Sequence, residues 1–265
     1  MSWIHVVVLA IVQGLTEILP ISSSGHLVLV PNVMDWRDQG LVFDVAVHFG
    51  TLVAIFLYFR EDLVRVLQGG VQVLTGSSKS REARLALMLV VGTIPAAVAG
   101  LALAGWIATN LRDPLVVVTT LSGYALLLAL ADRLGKRRRD FGEIGFGDAF
   151  AIGVAQVLAL VPGTSRSGIT ITAGLLLGLK RQDAARFSFL LAAPVIFLAA
   201  LYEIGKIFIE GATVTFGTLA SGALIAAVVS YLTIGFFMRF VNAIGLLPFA
   251  IYRLVLAAII LLVVT

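Results

Sequence analysis

Gln13-Gly14-Leu15-Thr16-Glu17-Ile18-Leu19-Pro20-Ile21-Ser22-Ser23-Ser24-Gly25-His26 decides how this chain is read. It starts as the end of an apolar segment (residues 3–19), turns polar at Gln13, Thr16 and Glu17, and stops at Pro20. The apolar run behind it, residues 27–33, is much too short to cross a bilayer, which takes about 20 residues. Two short helices meeting at a polar, Gly-containing break describe a re-entrant hairpin. Such irregular backbone is tolerated at membrane depth only when it is buried in protein or lines a cavity. A second break, Pro162-Gly163-Thr164-Ser165-Arg166-Ser167-Gly168, lies between apolar residues 146–161 and 169–179 and predicts a second hairpin.

The rest of the chain supplies the membrane setting. Of its 265 residues 60% are hydrophobic and 13% charged, where globular domains carry about 25% charge, and the mean hydropathy is +1.05. Full spans are expected at about 41–59, 85–108, 115–132, 187–207, 217–238 and 245–264, with a charged, amphipathic connection over 60–84. The expected fold is therefore all-α: a polytopic membrane protein of six transmembrane helices plus two re-entrant hairpins, in one domain spanning 1–265. No positive n-region or small-residue cleavage site marks a signal peptide, so 3–19 reads as part of the mature protein. Cysteine is absent, which excludes disulfides, thiol nucleophiles and cysteine-held metals.

Net charge +4 and a pI near 9.7 do not point to nucleic acid here, because the basic residues collect in loops beside apolar segments. Arg60, Arg65, Lys79, Arg81 and Arg84 occupy one such loop, and Arg133, Lys136, Arg137, Arg138 and Arg139 the next. With Lys180, Arg181, Arg186 and Arg239 they put 14 positive residues on one side, against Arg37, Arg112 and Lys206 on the other. That bias assigns the basic loops to the cytoplasm and both termini to the outside.

The same arrangement predicts an inverted-topology repeat, with halves of approximately 1–133 and 146–265 that each read hairpin, span, span, span. A shift of 143 pairs Gln13 with Gln156, Ser22 with Ser165, Ser24 with Ser167 and Gly25 with Gly168. A shift of 142 pairs Pro20 with Pro162 and Ser23 with Ser165 instead. Inverted repeats with interrupted helices place their site near the midplane, between the halves.

Ionisable residues at that depth are functional candidates by default. In the second break, Gly163 and Gly168 free the backbone, Thr164, Ser165 and Ser167 offer hydroxyls, and a helix opening near Ser167 aims N–H groups at an anion. Arg166 adds a planar fork suited to phosphate; the competing reading is an arginine that snorkels or caps a neighbouring helix. In the first break, Ser22, Ser23, Ser24 and Gly25 open a second helix N-terminus, flanked by Glu17 and His26. Glu17 reads as a general base or as a ligand to a divalent ion, and His26 as a proton carrier or phosphoryl acceptor. A buried histidine bonded to a carbonyl is the plainer reading of His26. Gln13, one turn before Glu17, takes a hydrogen-bonding role. His48, Arg253 and Glu203 read as structural partners or site residues with equal weight. Asp148 reads as a helix cap and Asp44 as an interface residue.

At these two motifs, and at Thr172-Ala173-Gly174-Leu175-Leu176-Leu177-Gly178 behind the second, the chain resembles the undecaprenyl-diphosphate phosphatases of the bacitracin-resistance type. The resemblance covers essentially the whole chain. It implies a bacterial plasma-membrane enzyme that removes the terminal phosphate of a C55 polyprenyl diphosphate, regenerating the monophosphate carrier of cell-wall synthesis, with the site opening to the external side. It implies functional roles for Ser23, His26 and Arg166, adds Thr170 as a phosphate contact, and implies stimulation by a divalent cation (Mg2+ or Ca2+) without an organic cofactor. The family's first motif has Glu or Gln four residues before an essential Glu, and here these are Gln13 and Glu17. The expected partners are the polyprenyl diphosphate lipid, the membrane and, for the assembly, a homodimer; no nucleic acid is expected. Two rival readings use the same inverted repeat, an anion transporter and a lipid flippase.

Overall fold

The computed structural model describes residues 2–34, 36, 40–77, 79–111, 113–210 and 215–264. Arg37 and Arg112, two of the three basic residues assigned to the outer side, fall outside them. Eleven α-helices and no strand make up the described residues. The two breaks separate α1 (Trp3–Thr16) from α2 (Ser23–Val33), and α7 (Phe146–Val157) from α8 (Arg166–Leu176). A single 3-10 turn, Leu158–Leu160, extends α7 towards its break. α2 and α8 have 11 residues each, too few to span.

Between the hairpins run α3 (Leu41–Tyr58), α4 (Arg60–Leu74), α5 (Arg81–Asn110) and α6 (Pro114–Leu134); after them come α9 (Arg181–Glu210), α10 (Phe216–Ile244) and α11 (Leu247–Val264). Helix starts follow local chemistry. The Ser80 hydroxyl accepts from Ala83 N at the head of α5, and the Asp113 carboxylate caps α6 ahead of Pro114 at the first helical position. At α7 the N-cap is Gly145. Asp148 does cap, but from the third position, taking the Gly145 N–H at 2.8 Å while its carboxylate also pairs with Arg139 of the basic loop.

Of the six expected spans, those in α5, α6, α9 and α10 are long and apolar enough to cross a bilayer by themselves. α3 meets that measure only together with α4, from which it is bent by 87°, and α11 falls just short of it. The bend has a chemical cause. α4 opens with Arg60, Glu61 and Asp62 and ends by exposing Leu67, Val71 and Leu74, so it is amphipathic and suits an interface better than a bilayer core. Asp62 is tied to Arg186 of α9, and Gly69 sits so close to Glu82 that a Cβ would lie 2.1 Å from the Glu82 carbonyl oxygen.

α1 packs on α10 and α7 packs on α5, so each short helix ahead of a break lies against a long helix from the other end of the chain. Small residues permit the approach: a Cβ on Gly14 would come 2.8 Å from Val229 Cβ, and one on Gly153 would come 2.3 Å from Gly92 O. The main core runs from Leu52 and Ile55 through Phe187, Phe189 and Leu190 to Phe237. Large apolar side chains such as Leu101, Leu224 and Leu262 face outward, as a lipid-facing surface requires.

Candidate active site

Each break is held in an unusual backbone state. Ser22 (φ 75°, ψ 98°) and Ser165 (φ 70°, ψ 113°) lie in the left-handed half of conformational space immediately before α2 and α8. Non-glycine residues persist there only when their surroundings impose it, and they cluster at functional sites. The Ser22 hydroxyl meets that of Ser24 at 3.2 Å, and the Ser165 hydroxyl meets that of Ser167 at 3.3 Å. The shift of 143 relates both features; the shift of 142 relates neither.

The breaks also grip each other reciprocally. Gly163 N donates to the Ser24 hydroxyl at 3.2 Å, and the Ser167 hydroxyl donates to Leu19 O at 3.2 Å. Gly163 has φ +89°, and a Cβ there would lie 2.2 Å from Thr120 Oγ1, which itself donates to Pro162 O at 2.6 Å. Consecutive residues of α11 complete the frame. Tyr252 bonds His26 of the first break, and the fully buried Arg253 reaches Gly163 O of the second at 3.1 Å as well as Leu121 O and Thr120 O. Arg253 is thus a backbone clamp.

Between the breaks lies a cavity of about 410 Å3. Glu17 stands at its centre of chemistry. Arg166 Nη2, from the other half of the chain, donates to Glu17 Oε1 at 3.3 Å. Glu17 Oε2 accepts from the Ser23 hydroxyl at 2.6 Å and from Gln13 Nε2 at 3.3 Å, and lies 3.6 Å from His48 Nε2. A hydroxyl donating to a carboxylate that is oriented by a third group has the geometry of an activated nucleophile and its base. Arg166 Nε is buried and has no hydrogen-bond partner in the protein, so one donor of its fork is unspent beside the cavity.

The expected site residues therefore divide. Glu17, Ser22, Ser23, Ser24, Ser165 and Arg166 line the cavity; Gln13, Gly25, His26, Gly163, Thr164, Ser167, Gly168 and Thr170 are not in its wall. His26 follows its plainer reading: Nδ1 donates to Ser22 O at 2.7 Å, which leaves Nε2 to accept from the Tyr252 hydroxyl at 2.7 Å. Both ring nitrogens are engaged in holding the break. Thr170 is buried, bonded to Arg166 O and at 2.6 Å to the Ser188 hydroxyl, so it braces the first turn of α8. Gly25 packs against Leu121 and Leu256.

The wall also includes His48 and Glu203, whose role the sequence left open, Asp44, which it read as an interface residue, and Gln156, which it noted only as the counterpart of Gln13. His48 Nδ1 donates to Asp44 O at 2.7 Å, so its Nε2 carries a proton towards Glu17 only when the ring is charged. For Gln156 the usable clue was the shift of 143, which matches it to Gln13. The donor set does not fit a cation held by the protein alone. Among the described residues no three His, Cys, Asp or Glu are placed to hold one ion together, although Glu17, Asp44, His48 and Glu203 share the wall, and both Glu17 oxygens already accept from protein donors. Glu17 as a metal ligand is therefore not supported by this arrangement.

The family profile described as Bacitracin resistance protein BacA matches residues 6–259. The chain belongs to this family. It is 50% identical over 258 residues to the undecaprenyl-diphosphatase of Hahella chejuensis, with 97% of each chain covered. It is equally similar, 50% over 258 residues and 97% of each chain, to the undecaprenyl-diphosphatase of Nitrosococcus oceani. Undecaprenyl-diphosphatase 2 of Stutzerimonas stutzeri is 46% identical over 264 residues, with 98% of each covered. The family member described here is a multi-pass, all-helical membrane protein.

Proposed function

We propose that this protein hydrolyses the terminal phosphate of undecaprenyl diphosphate, giving the monophosphate lipid and inorganic phosphate, and that the cavity between the two breaks is where it does so. The observation that carries the reading is the convergence of Ser23, Glu17 and Arg166 from opposite halves of the chain on one cavity. The names of the relatives, at about half identity over nearly the full length, supply the substrate. The transporter and flippase readings gain no support from either source.

Phosphoryl transfer is mostly a matter of positioning and of neutralising charge on the phosphoryl oxygens. Arg166, with Nε unspent and Nη2 shared with Glu17, binds the diphosphate, helped by the N–H groups at the starts of α2 and α8. Glu17 takes the proton of the Ser23 hydroxyl as the oxygen attacks the terminal phosphorus. The bond from that phosphorus to the bridging oxygen breaks, and the lipid monophosphate leaves with the electron pair. Glu17 returns its proton to the departing lipid phosphate, takes one from the water that attacks the phosphoserine, and gives it to the Ser23 oxygen as the bond from phosphorus to that oxygen breaks and inorganic phosphate leaves. No step passes through a metal ion. The helix surfaces around the cavity accommodate the lipid tail; the charge bias of the loops supports placing the basic loops in the cytoplasm of a bacterial inner membrane, and a first hairpin that then enters from outside favours an external opening.

Purified protein given a C15 or C55 diphosphate is expected to release phosphate, and Arg166→Ala to lose at least 10^2 of that rate, roughly the worth of one preorganised charged donor, while still folding. Near-normal hydrolysis by folded Arg166→Ala would remove the core of the reading.

A further inference from the structure

One buried amide on the cavity wall has no part in the steps above. Gln156, on α7, is 1% exposed, and neither its Oε1 nor its Nε2 has a hydrogen-bond partner in the protein. It shares the wall with Glu17, Ser23 and Arg166. Buried polar side chains are nearly always bonded, and an unmade bond costs more than a made one contributes. A glutamine wholly unspent at that spot therefore weakens the fold unless something else takes its hydrogen bonds.

Comparing the two halves shows how the amide came to be free. The shift that superposes Ser22 on Ser165 places Gln156 where the first half has Gln13. Gln13 Nε2 donates to Glu17, four residues on and one helical turn away. Four residues after Gln156 stands Leu160, which is also in the cavity wall. The second half keeps the amide and lacks the carboxylate, so the donor that Gln13 spends inside the protein is unspent at Gln156, on the cavity wall.

We propose that Gln156 is a substrate-binding residue whose Nε2 donates to a non-bridging oxygen of the diphosphate group. The inference rests on the cavity being the diphosphate site. Phosphate oxygens at neutral pH offer mainly acceptors, which the amide matches at Nε2, and a neutral donor adds a bond without disturbing the charge balance between Arg166 and Glu17. The ligand class is a phosphoanhydride or phosphate group, whether borne by a lipid or free.

The test uses the full chain, purified, with Gln156→Met and Gln156→Glu beside the unaltered protein. Methionine keeps the length and removes the unpaired amide. Gln156→Met is expected to hold or raise Tm while raising KM for a C15 diphosphate by about tenfold or more, the range for a lost hydrogen bond to a charged group. It should weaken inhibition by inorganic pyrophosphate by a similar factor. Gln156→Glu keeps the shape but sets a carboxylate against phosphate, and is expected to weaken both further. Unchanged KM and unchanged pyrophosphate inhibition in Gln156→Met overturn the proposal, as does a fall in Tm with KM unmoved, which marks a structural glutamine. Absence of phosphate release from the unaltered protein would sink the diphosphatase reading itself, an outcome separate from either of these.

Discussion

A serine hydroxyl is a poor nucleophile until a neighbouring base draws off its proton, and in the proposed reaction Glu17, which accepts from the Ser23 hydroxyl at 2.6 Å, is that base. Glu17 is in turn held by Arg166 and Gln13, so its free oxygen directions are few and its orientation is set. Glu17→Gln keeps an acceptor for Ser23 but cannot carry a proton; we expect kcat to drop roughly 10^2–10^4-fold, the usual worth of a general base, with KM changed far less. Ser23→Ala should abolish the acid-stable phosphoserine that brief reaction with labelled diphosphate leaves on the unaltered protein. A full phosphoenzyme signal in Ser23→Ala, or one that is labile in acid, would move the nucleophile to a histidine. At this scale the sequence was informative about Glu17, Ser23 and Arg166, because charged or hydroxylated residues beside a Pro or Gly break at membrane depth demand an explanation. It was uninformative about His48. A histidine inside an apolar helix looks the same whether it faces lipid, core or cavity, and only packing brought it to within 3.6 Å of Glu17.

At the scale of elements, the breaks are the costly parts, and the chain holds them with side chains from elsewhere. Gly163 combines φ +89° with a Thr120 hydroxyl that leaves no room for a Cβ. Gly163→Ala should therefore destabilise by more than the ~1–2 kcal/mol of left-handed backbone strain alone. Arg253→Met leaves the Gly163 carbonyl without its donor in a buried region, at about 1–3 kcal/mol, while the Thr120 and Leu121 carbonyls lose a second donor and keep their bonds within α6. Both changes are expected to lower Tm by thermal-shift fluorescence in detergent. Arg253→Lys should recover little, because one ammonium cannot reproduce a planar fork spread over three carbonyls. An Arg253→Met protein as heat-stable as the original would show that the clamp does not hold the break. The short helices α2 and α8 were legible from their lengths and stops. The reciprocal bonds from Gly163 to Ser24 and from Ser167 to Leu19 were not, since they join residues 139 and 148 positions apart.

For the whole molecule, the helices that lead into the two breaks, α1 and α7, lie against the long helices α10 and α5, and the cavity sits where the two breaks meet. The absence of cysteine makes sidedness directly measurable. In intact cells, Ser77→Cys and Gly142→Cys, in the basic connections, should resist a membrane-impermeant thiol reagent until the cells are permeabilised, whereas Ser2→Cys should react at once. The reverse pattern would invert the topology and put the cavity's opening on the wrong side for an external lipid. Much of this architecture follows from the amino-acid order. Apolar run lengths and proline and glycine stops make the chain helical, membrane-spanning and twice interrupted, because each is a local requirement of burying backbone in lipid. Tertiary structure decided the rest. It turned α4 by 87° out of the span that precedes it, closed His26 onto Tyr252, left Gln156 unpaired, and brought Arg166 to Glu17 across 149 residues. Local sequence cannot specify such choices, since which polar side chains meet in a dry interior depends on how the two halves pack, and that packing is a property of the whole chain at once.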